Sequence, residues 1–228
     1  MISVVIPTFN AAPRLSDCLE ALVPAAVEGL VKEVVISDGG SSDKTEAIAE
    51  AAGAVFLAGP KGRGGQLARG AAAAHGRWLL FLHADTVLDP EWGAEALGCV
   101  SDEARAGVFT LAFDAEGLAP KLIAAGAMAR TRLLKSPYGD QGLLISRALY
   151  DEIGGFAGIP LLEDVDIVRR IVRAKGRAAL IVLKARAVTS AALYERDGYI
   201  RRVFKNARCL WDYHRGVPPA RIAENYYR

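Results

Sequence analysis

The chain has 228 residues, 52% of them apolar and 24% charged, with a formal net charge of +2. That composition excludes wholesale disorder and suffices for one sizeable core, or one core plus a helical tail. The three cysteines, Cys18, Cys99 and Cys209, are odd in number and spaced for neither a disulfide framework nor a metal cluster, which predicts a reducing, cytoplasmic setting. No run approaches the eighteen apolar residues of a membrane span, and the first seven residues lack the basic start of a signal peptide. Charge is uneven along the chain. From Lys184 onward there are ten Lys/Arg against four Asp/Glu, so the tail carries +6 and the body −4. Such a tail suits a solvated helix face, or a surface for phosphate groups or anionic lipid at the inner face of a membrane.

Residues 2–6 form a first apolar strand, ended by the loop Pro7-Thr8-Phe9-Asn10. A helix is predicted over 13–27, with Pro13 at its start, where a missing N–H costs nothing. Strand 33–37 runs into the turn-rich Asp38-Gly39-Gly40-Ser41-Ser42-Asp43, followed by helix 44–52 and a short strand over 54–58. The glycine-rich segment 59–65 opens a helix to about His75. Residues 78–82 are continuously apolar and short, as a buried central strand should be, and break at His83-Ala84-Asp85-Thr86. Helix 91–100, strand 108–113, helix 120–134, loop 136–142, strand 143–146 and helix 147–153 follow. The last elements are helix 163–175, strand 179–183 and one helix over 195–215, in which Val203, Leu210 and Trp211 are expected to pack inward. Strands alternating with Ala-rich helices predict an α/β fold around a mostly parallel sheet. With no repeat or linker in view, residues 1–190 are taken as one domain and 191–228 as a helical C-terminal extension packed on it.

Ligands of open parallel sheets bind where strands end and helices begin, and three acidic loops fall at such ends. Asp38 with its glycines can accept hydrogen bonds from a base or ribose, or can simply cap a turn. Asp85 ends the most apolar strand, where a carboxylate suits a hard dication bridging phosphates. His83, two residues earlier on the same side of an extended strand, is a second ligand or a satisfied core histidine. Glu163, Asp164 and Asp166 open a helix, where acids are favoured generically but where a carboxylate can also serve as a general base. Asp166 is expected to pair with Arg169 or Arg170.

Taken in order, Val4-Val5-Ile6-Pro7-Thr8-Phe9-Asn10, Ile36-Ser37-Asp38-Gly39-Gly40-Ser41-Ser42-Asp43, Phe81-Leu82-His83-Ala84-Asp85-Thr86, Gly154-Gly155-Phe156 and Glu163-Asp164-Val165-Asp166 resemble family 2 glycosyltransferases over residues 2–190. Pro137-Tyr138-Gly139-Asp140-Gln141-Gly142 and the His-Ala-Asp form look like a small bacterial subgroup associated with radical-SAM or selenodomain proteins. The resemblance implies a GT-A fold with a Rossmann-like sheet, and transfer of a sugar from a UDP- or GDP-linked donor to an unknown acceptor, with inversion. It implies a nucleotide site at Pro7, Thr8, Asn10, Asp38, Gly39, Arg63 and Gln66. Asp85 falls on the last Asp of an Asp-x-Asp metal signature, with His83 beside it, for Mn²⁺ or Mg²⁺. Asp164 falls on the catalytic base, with Glu163 orienting the loop or binding acceptor, and Asp140 and Gln141 face the acceptor. The sequence departs from the pattern twice. His83 replaces an Asp, and Ala187-Val188-Thr189-Ser190 lacks the late metal-binding His, which leaves metal dependence open.

Other functions fit less well. A dinucleotide oxidoreductase wants its glycines after the first strand, and Gly62-Arg63-Gly64-Gly65 comes too late. A nucleotidyltransferase wants a basic glycine-rich loop at that same early place. A non-catalytic nucleotide-sugar sensor would keep the fold and dispense with Asp164. The tail offers no aromatic platform for nucleic acid.

Overall fold

The computed structural model describes residues 1–227. In chain order the elements are β1 (Ile2–Thr8), α1 (Ala12–Glu20), α2 (Val23–Val27), β2 (Val31–Asp38), α3 (Thr45–Ala51), β3 (Val55–Ala58), α4 (Arg63–Ala73), β4 (Trp78–Phe81), β5 (Thr86–Leu88) and α5 (Trp92–Cys99). They continue with β6 (Ala106–Phe113), α6 (Leu118–Leu134), β7 (Leu143–Ser146), α7 (Arg147–Glu152), α8 (Glu163–Lys175), β8 (Leu180–Thr189), α9 (Ala192–Asp197), α10 (Tyr199–His214) and α11 (Pro219–Tyr227).

One sheet holds all eight described strands in the order β3-β2-β1-β4-β7-β6-β8-β5. Strands β3, β2, β1 and β4 are mutually parallel, and β6 pairs parallel with β8. The antiparallel pairs are β4 with β7, β6 with β7, and β5 with β8. Alternation splits the core between the two faces of the sheet. Val4, Ile6, Leu80 and Leu82 pack towards α1 and Trp92 of α5, while Val5, Leu79 and Phe81 pack towards α4 and α8. Between β1 and β4 the strand order reverses direction, which opens a crevice at their C-terminal ends. β4 stops early there. Its last residue Phe81 pairs with Val5, whereas β1 runs on to Thr8 opposite Asp38. The loop of His83, Ala84 and Asp85 therefore turns beside the exposed end of β1.

Several boundaries differ from expectation for identifiable reasons. The helix predicted over 13–27 is two helices, since Pro24 in the first turn of α2 has no N–H with which to continue α1. β8 continues to Thr189 because Ala185 and Ala187 point inward while Lys184 and Arg186 alternate to solvent. The helix predicted over 195–215 breaks at Gly198, whose φ of +83° favours glycine. Helix α11 and strand β5 were not anticipated. α10 is also rotated relative to expectation: Val203 is 40% and Trp211 64% exposed, while Arg202 and Cys209 are buried. Residues 191–227 dock through Cys209 and Ile222 against Leu162 and Val165, flanked by Tyr138, Leu161, Leu210 and Tyr213.

Candidate functional site

The crevice between β1 and β4 contains a cleft of about 540 Å³ lined by Pro7, Thr8, Phe9, Asn10, Arg14, Lys61, Gly62, Arg63, Gln66, His83 and Asp85, among others. Its cations come from two segments, the start of α1 and the loop that leads into α4. Arg63 stands in the first turn of α4, Lys61 lies over the Phe9 ring at 3.6 Å, and Arg14 pairs with Asp114 at 2.6 Å. Positive side chains beside a helix N-terminus form a surface for phosphate. Residue order alone did not single out Phe9, Arg14 or Lys61; their loops did carry the signal, as bases and an aromatic at strand ends.

The predicted nucleotide residues separate into a lining and a brace. Pro7, Thr8, Asn10, Arg63 and an edge of Gln66 line the cleft; Asp38 and Gly39 do not. Asp38 is 2% exposed. Its Oδ1 accepts from Thr8 Oγ1 at 2.8 Å and Ser41 Oγ at 2.5 Å, and its Oδ2 from the amides of Gly40 and Ser41 at 2.7 Å. Burial opposes ionisation, but the bonds from Ser41, Thr8 and Gly40 outweigh it and hold the carboxyl below the ordinary range. In this conformation Asp38 does the turn-capping work rather than presenting oxygens to the cleft. Gln66 is similarly spent: its Nε2 donates to the carbonyls of Thr8 and Ser37 at 2.7 and 2.8 Å, and its Oε1 accepts from the Gly62 amide. Gly39 fits because a Cβ there would lie 3.1 Å from that Oε1. These three residues tie β1, β2 and α4 together beneath the cleft. Asn10 holds a left-handed φ of +51° while its Oδ1 accepts from the Ser42 amide.

Beyond His83 and Asp85 lies a second chamber of about 170 Å³, shared by the body and the tail. Arg63, His83 and Asp85 border both spaces. The loop, not strand alternation, brings His83 and Asp85 together, since β4 has already ended at Phe81. Burial, then Arg63, pushes the His83 imidazole down to about 3, so it is neutral. Burial raises Asp85.

Asp140 and Asp164 face the same chamber. Asp164 Oδ2 accepts from the Gly139 amide at 2.6 Å, and its Oδ1 from Val165 N at 2.7 Å. That pins the 3-10 turn Gly139–Gln141 to the start of α8. A Cβ at 139 would sit 2.7 Å from His83 Nε2, so any larger residue there displaces that ring. The residue before the acidic pair, Leu162, has a φ of +66° and caps α8 without a side-chain bond, so neither Glu163 nor Asp164 is the N-cap. Asp140 is raised to about 6 by burial and by Asp164 and Asp85, against Arg130, and its Oδ1 is buried without a hydrogen-bond partner.

Two predicted site residues point away from the chamber. Gln141 is fully buried: its Oε1 accepts from Thr131 Oγ1 at 2.7 Å and its Nε2 donates to Phe109 O at 2.9 Å, so it fastens the 3-10 turn to α6 and β6 instead of meeting an acceptor. Glu163 is 1% exposed and turns into a small, largely apolar cavity, with Arg63 Nε 3.5 Å from its Oε1. Burial and the neighbouring Asp164 push it up to about 7. Asp166 pairs with Arg170 at 2.6 Å and accepts from Tyr213 of α10, a structural role that also docks the tail.

The tail supplies a wall of the chamber. Arg202 donates to Asp197 at 3.0 Å and to the Tyr226 hydroxyl, which donates to Asn206 at 3.3 Å. These residues are spread over α9, α10 and α11, so no local motif announces them.

Among the described residues no three His, Cys, Asp or Glu side chains gather into a metal cage. Hard dications need no such cage when one or two carboxylates share them with substrate phosphates and water. Asp85 and the unpartnered oxygen of Asp140 fit that arrangement.

Residues 3–160 match glycosyl transferase family 2. The chain belongs to that family. Glucosyl-3-phosphoglycerate synthase of Mycobacterium tuberculosis is 33% identical over 95 residues, which cover 38% of this chain and 29% of that protein. The match thus spans less than a third of that relative's length. A crystal structure of the same mycobacterial enzyme with Mn²⁺, UDP and glucosyl-3-phosphoglycerate aligns at TM-score 0.64 and 23% identity, over 90% of this chain and 77% of that one. S. aureus TarS aligns at 0.63 and 19% identity, over 82% and 60%. At these identities the structures share the fold, and the family 2 chain described here has the GT-A architecture.

Proposed function

We propose that the chain transfers a sugar from a UDP- or GDP-linked donor to an acceptor hydroxyl, with inversion at the anomeric carbon. The observation that carries this reading is the junction of two cavities at Arg63, His83 and Asp85, one lined by Lys61 and Arg63 and roomy enough for a nucleotide diphosphate, the other holding Asp140 and Asp164. A donor in the first cleft would place its diphosphate by Lys61 and Arg63 and its sugar at the junction. An acceptor in the chamber then attacks from the side opposite the leaving diphosphate. The hydroxyl oxygen forms the new bond to the anomeric carbon, the bond to the diphosphate oxygen breaks, and the hydroxyl proton passes to Asp164. Attack and departure on opposite sides invert the configuration. Asp164 retains lone pairs beyond those used by Gly139 and Val165, as a base must.

A dication would be held by Asp85 and Asp140 together with the donor phosphates, and would neutralise charge on the leaving diphosphate. The Mn²⁺, UDP and UDP-glucose bound in structures of the mycobacterial synthase support both the metal and the donor class. Residues 1–190 form the transfer domain in this reading, and the following helices complete the acceptor chamber. The Pro137-Tyr138-Gly139-Asp140-Gln141-Gly142 loop supports placement in the bacterial radical-SAM-associated subgroup.

General-base assistance contributes about 10²–10⁴-fold, so Asp164→Asn should lower turnover by that order while UDP affinity stays unchanged. Near-normal turnover, or a product that retains the donor's anomeric configuration by NMR, overturns the mechanism. Chelation should weaken UDP binding to the wild type and leave Asp85→Ala unaffected.

A further inference from the structure

Helix α10 is amphipathic with its apolar side outward. The inward face carries Arg202, Asn206, Cys209 and Tyr213, bonded or packed against the body and α11. The outward face carries Ile200, Phe204 and Trp211, exposed by 75%, 71% and 64%, with Val203 at 40% beside them. At 100° per residue Ile200, Phe204, Ala207 and Trp211 fall on a single stripe. Arg201, Arg208 and Arg215, seven residues apart and all exposed, run along one border of it; Arg208 also lies 3.8 Å from Asp212.

Isolated surface apolar residues are ordinary, but a full stripe of Trp, Phe and Ile edged with arginine is the distribution of a helix lying in a lipid headgroup layer. Charge selects the occupant. A second copy packed antiparallel across a two-fold axis would bring its own arginine row against this one, and a parallel copy would leave each row without a counter-charge, whereas anionic headgroups neutralise the row. No helix among the described residues is long and apolar enough to cross a membrane, so the contact is peripheral. We infer that the outward face of α10 docks on an anionic bilayer, with Ile200, Phe204 and Trp211 among the upper acyl methylenes and Arg201, Arg208 and Arg215 on headgroup phosphates.

The test uses the full chain with phosphatidylcholine vesicles containing or lacking phosphatidylglycerol. Co-sedimentation should need phosphatidylglycerol and weaken with salt. Tryptophan emission should shift to the blue on binding, a signal that reports Trp211 because Trp78 and Trp92 are already 3% and 1% exposed. Each arginine near an anionic surface strengthens binding about fivefold, so the triple variant Arg201→Gln, Arg208→Gln, Arg215→Gln should lose on the order of a hundredfold in partitioning. Phe204→Asp with Trp211→Asp should abolish binding while leaving melting temperature and UDP affinity intact, since both side chains are exposed. Equal binding to neutral vesicles overturns the inference, as does no binding at low salt. Self-association that Phe204→Asp abolishes, in a chain that ignores vesicles, overturns it in favour of a second copy.

Discussion

Residue by residue, the acidic motifs divide by what their oxygens already do. Asp38 spends both oxygens on its own loop and on Thr8 of β1, and Asp164 keeps capacity beyond its two backbone donors. Glu163 is buried among apolar neighbours beside Asp164, and that environment makes a pH prediction. The unfolded chain releases this proton near 4.5 and the folded chain near 7, so ionisation destabilises the fold and wild-type stability falls as pH rises through that window. Glu163→Gln has no such proton. Its stability relative to wild type should rise between those values and level off above them, as urea denaturation at a series of pH values would show. A constant difference across the window would assign Glu163 a fixed packing role. None of this is visible in a string of residues, because these three carboxylates are chemically alike and differ only in their neighbours.

Among the elements, the 3-10 turn Gly139–Gln141 transmits position between the sheet and the start of α8. Gln141 anchors it to α6 and β6 from behind, and Gly139 meets Asp164 in front. Adding a Cβ at 139 drives against the His83 ring, which borders the chamber that Asp164 faces. Gly139→Ala should therefore lower turnover at least tenfold, as misplacement of about 1 Å typically does, while donor affinity stays within twofold. Fluorescent UDP titration alongside steady-state kinetics separates the two; equal losses in both would mean that the turn supports the donor cleft instead. The expectation of helix, loop and strand here was sound at the level of elements. What it missed was that the polar residue with the most hydrogen-bonding capacity, Gln141, turns inward.

For the molecule as a whole, the C-terminal helices close a chamber that the sheet leaves open. Ile222, 2% exposed, packs with Cys209, Leu162 and Val165 and keeps α11 seated. Ile222→Asp buries an unpaired charge there and should release α11, taking Tyr226 away from Arg202 and Asn206. The expected outcome is an acceptor KM raised at least tenfold with the UDP dissociation constant unchanged. An unchanged acceptor KM would make the tail a bystander to acceptor binding.

The linear sequence by itself determined the order of most strands and helices, though not β5 or α11, and the loops that end β1, β2 and β4 with the acidic residues those loops carry. These are local properties, written in hydrophobic period and in glycine and proline placement. Only the tertiary structure decided which oxygens face a cavity. That choice depends on strand order, on where β4 stops beside β1, and on chain segments more than a hundred residues apart meeting at Arg63, Asp85, Asp164 and Arg202. The outward turn of α10 belongs to the same class. Its apolar stripe is plain in the sequence, but apolar side chains are ordinarily assigned inward, and the face that packs was settled by Arg202, Asn206 and Tyr213 finding partners on the body and on α11.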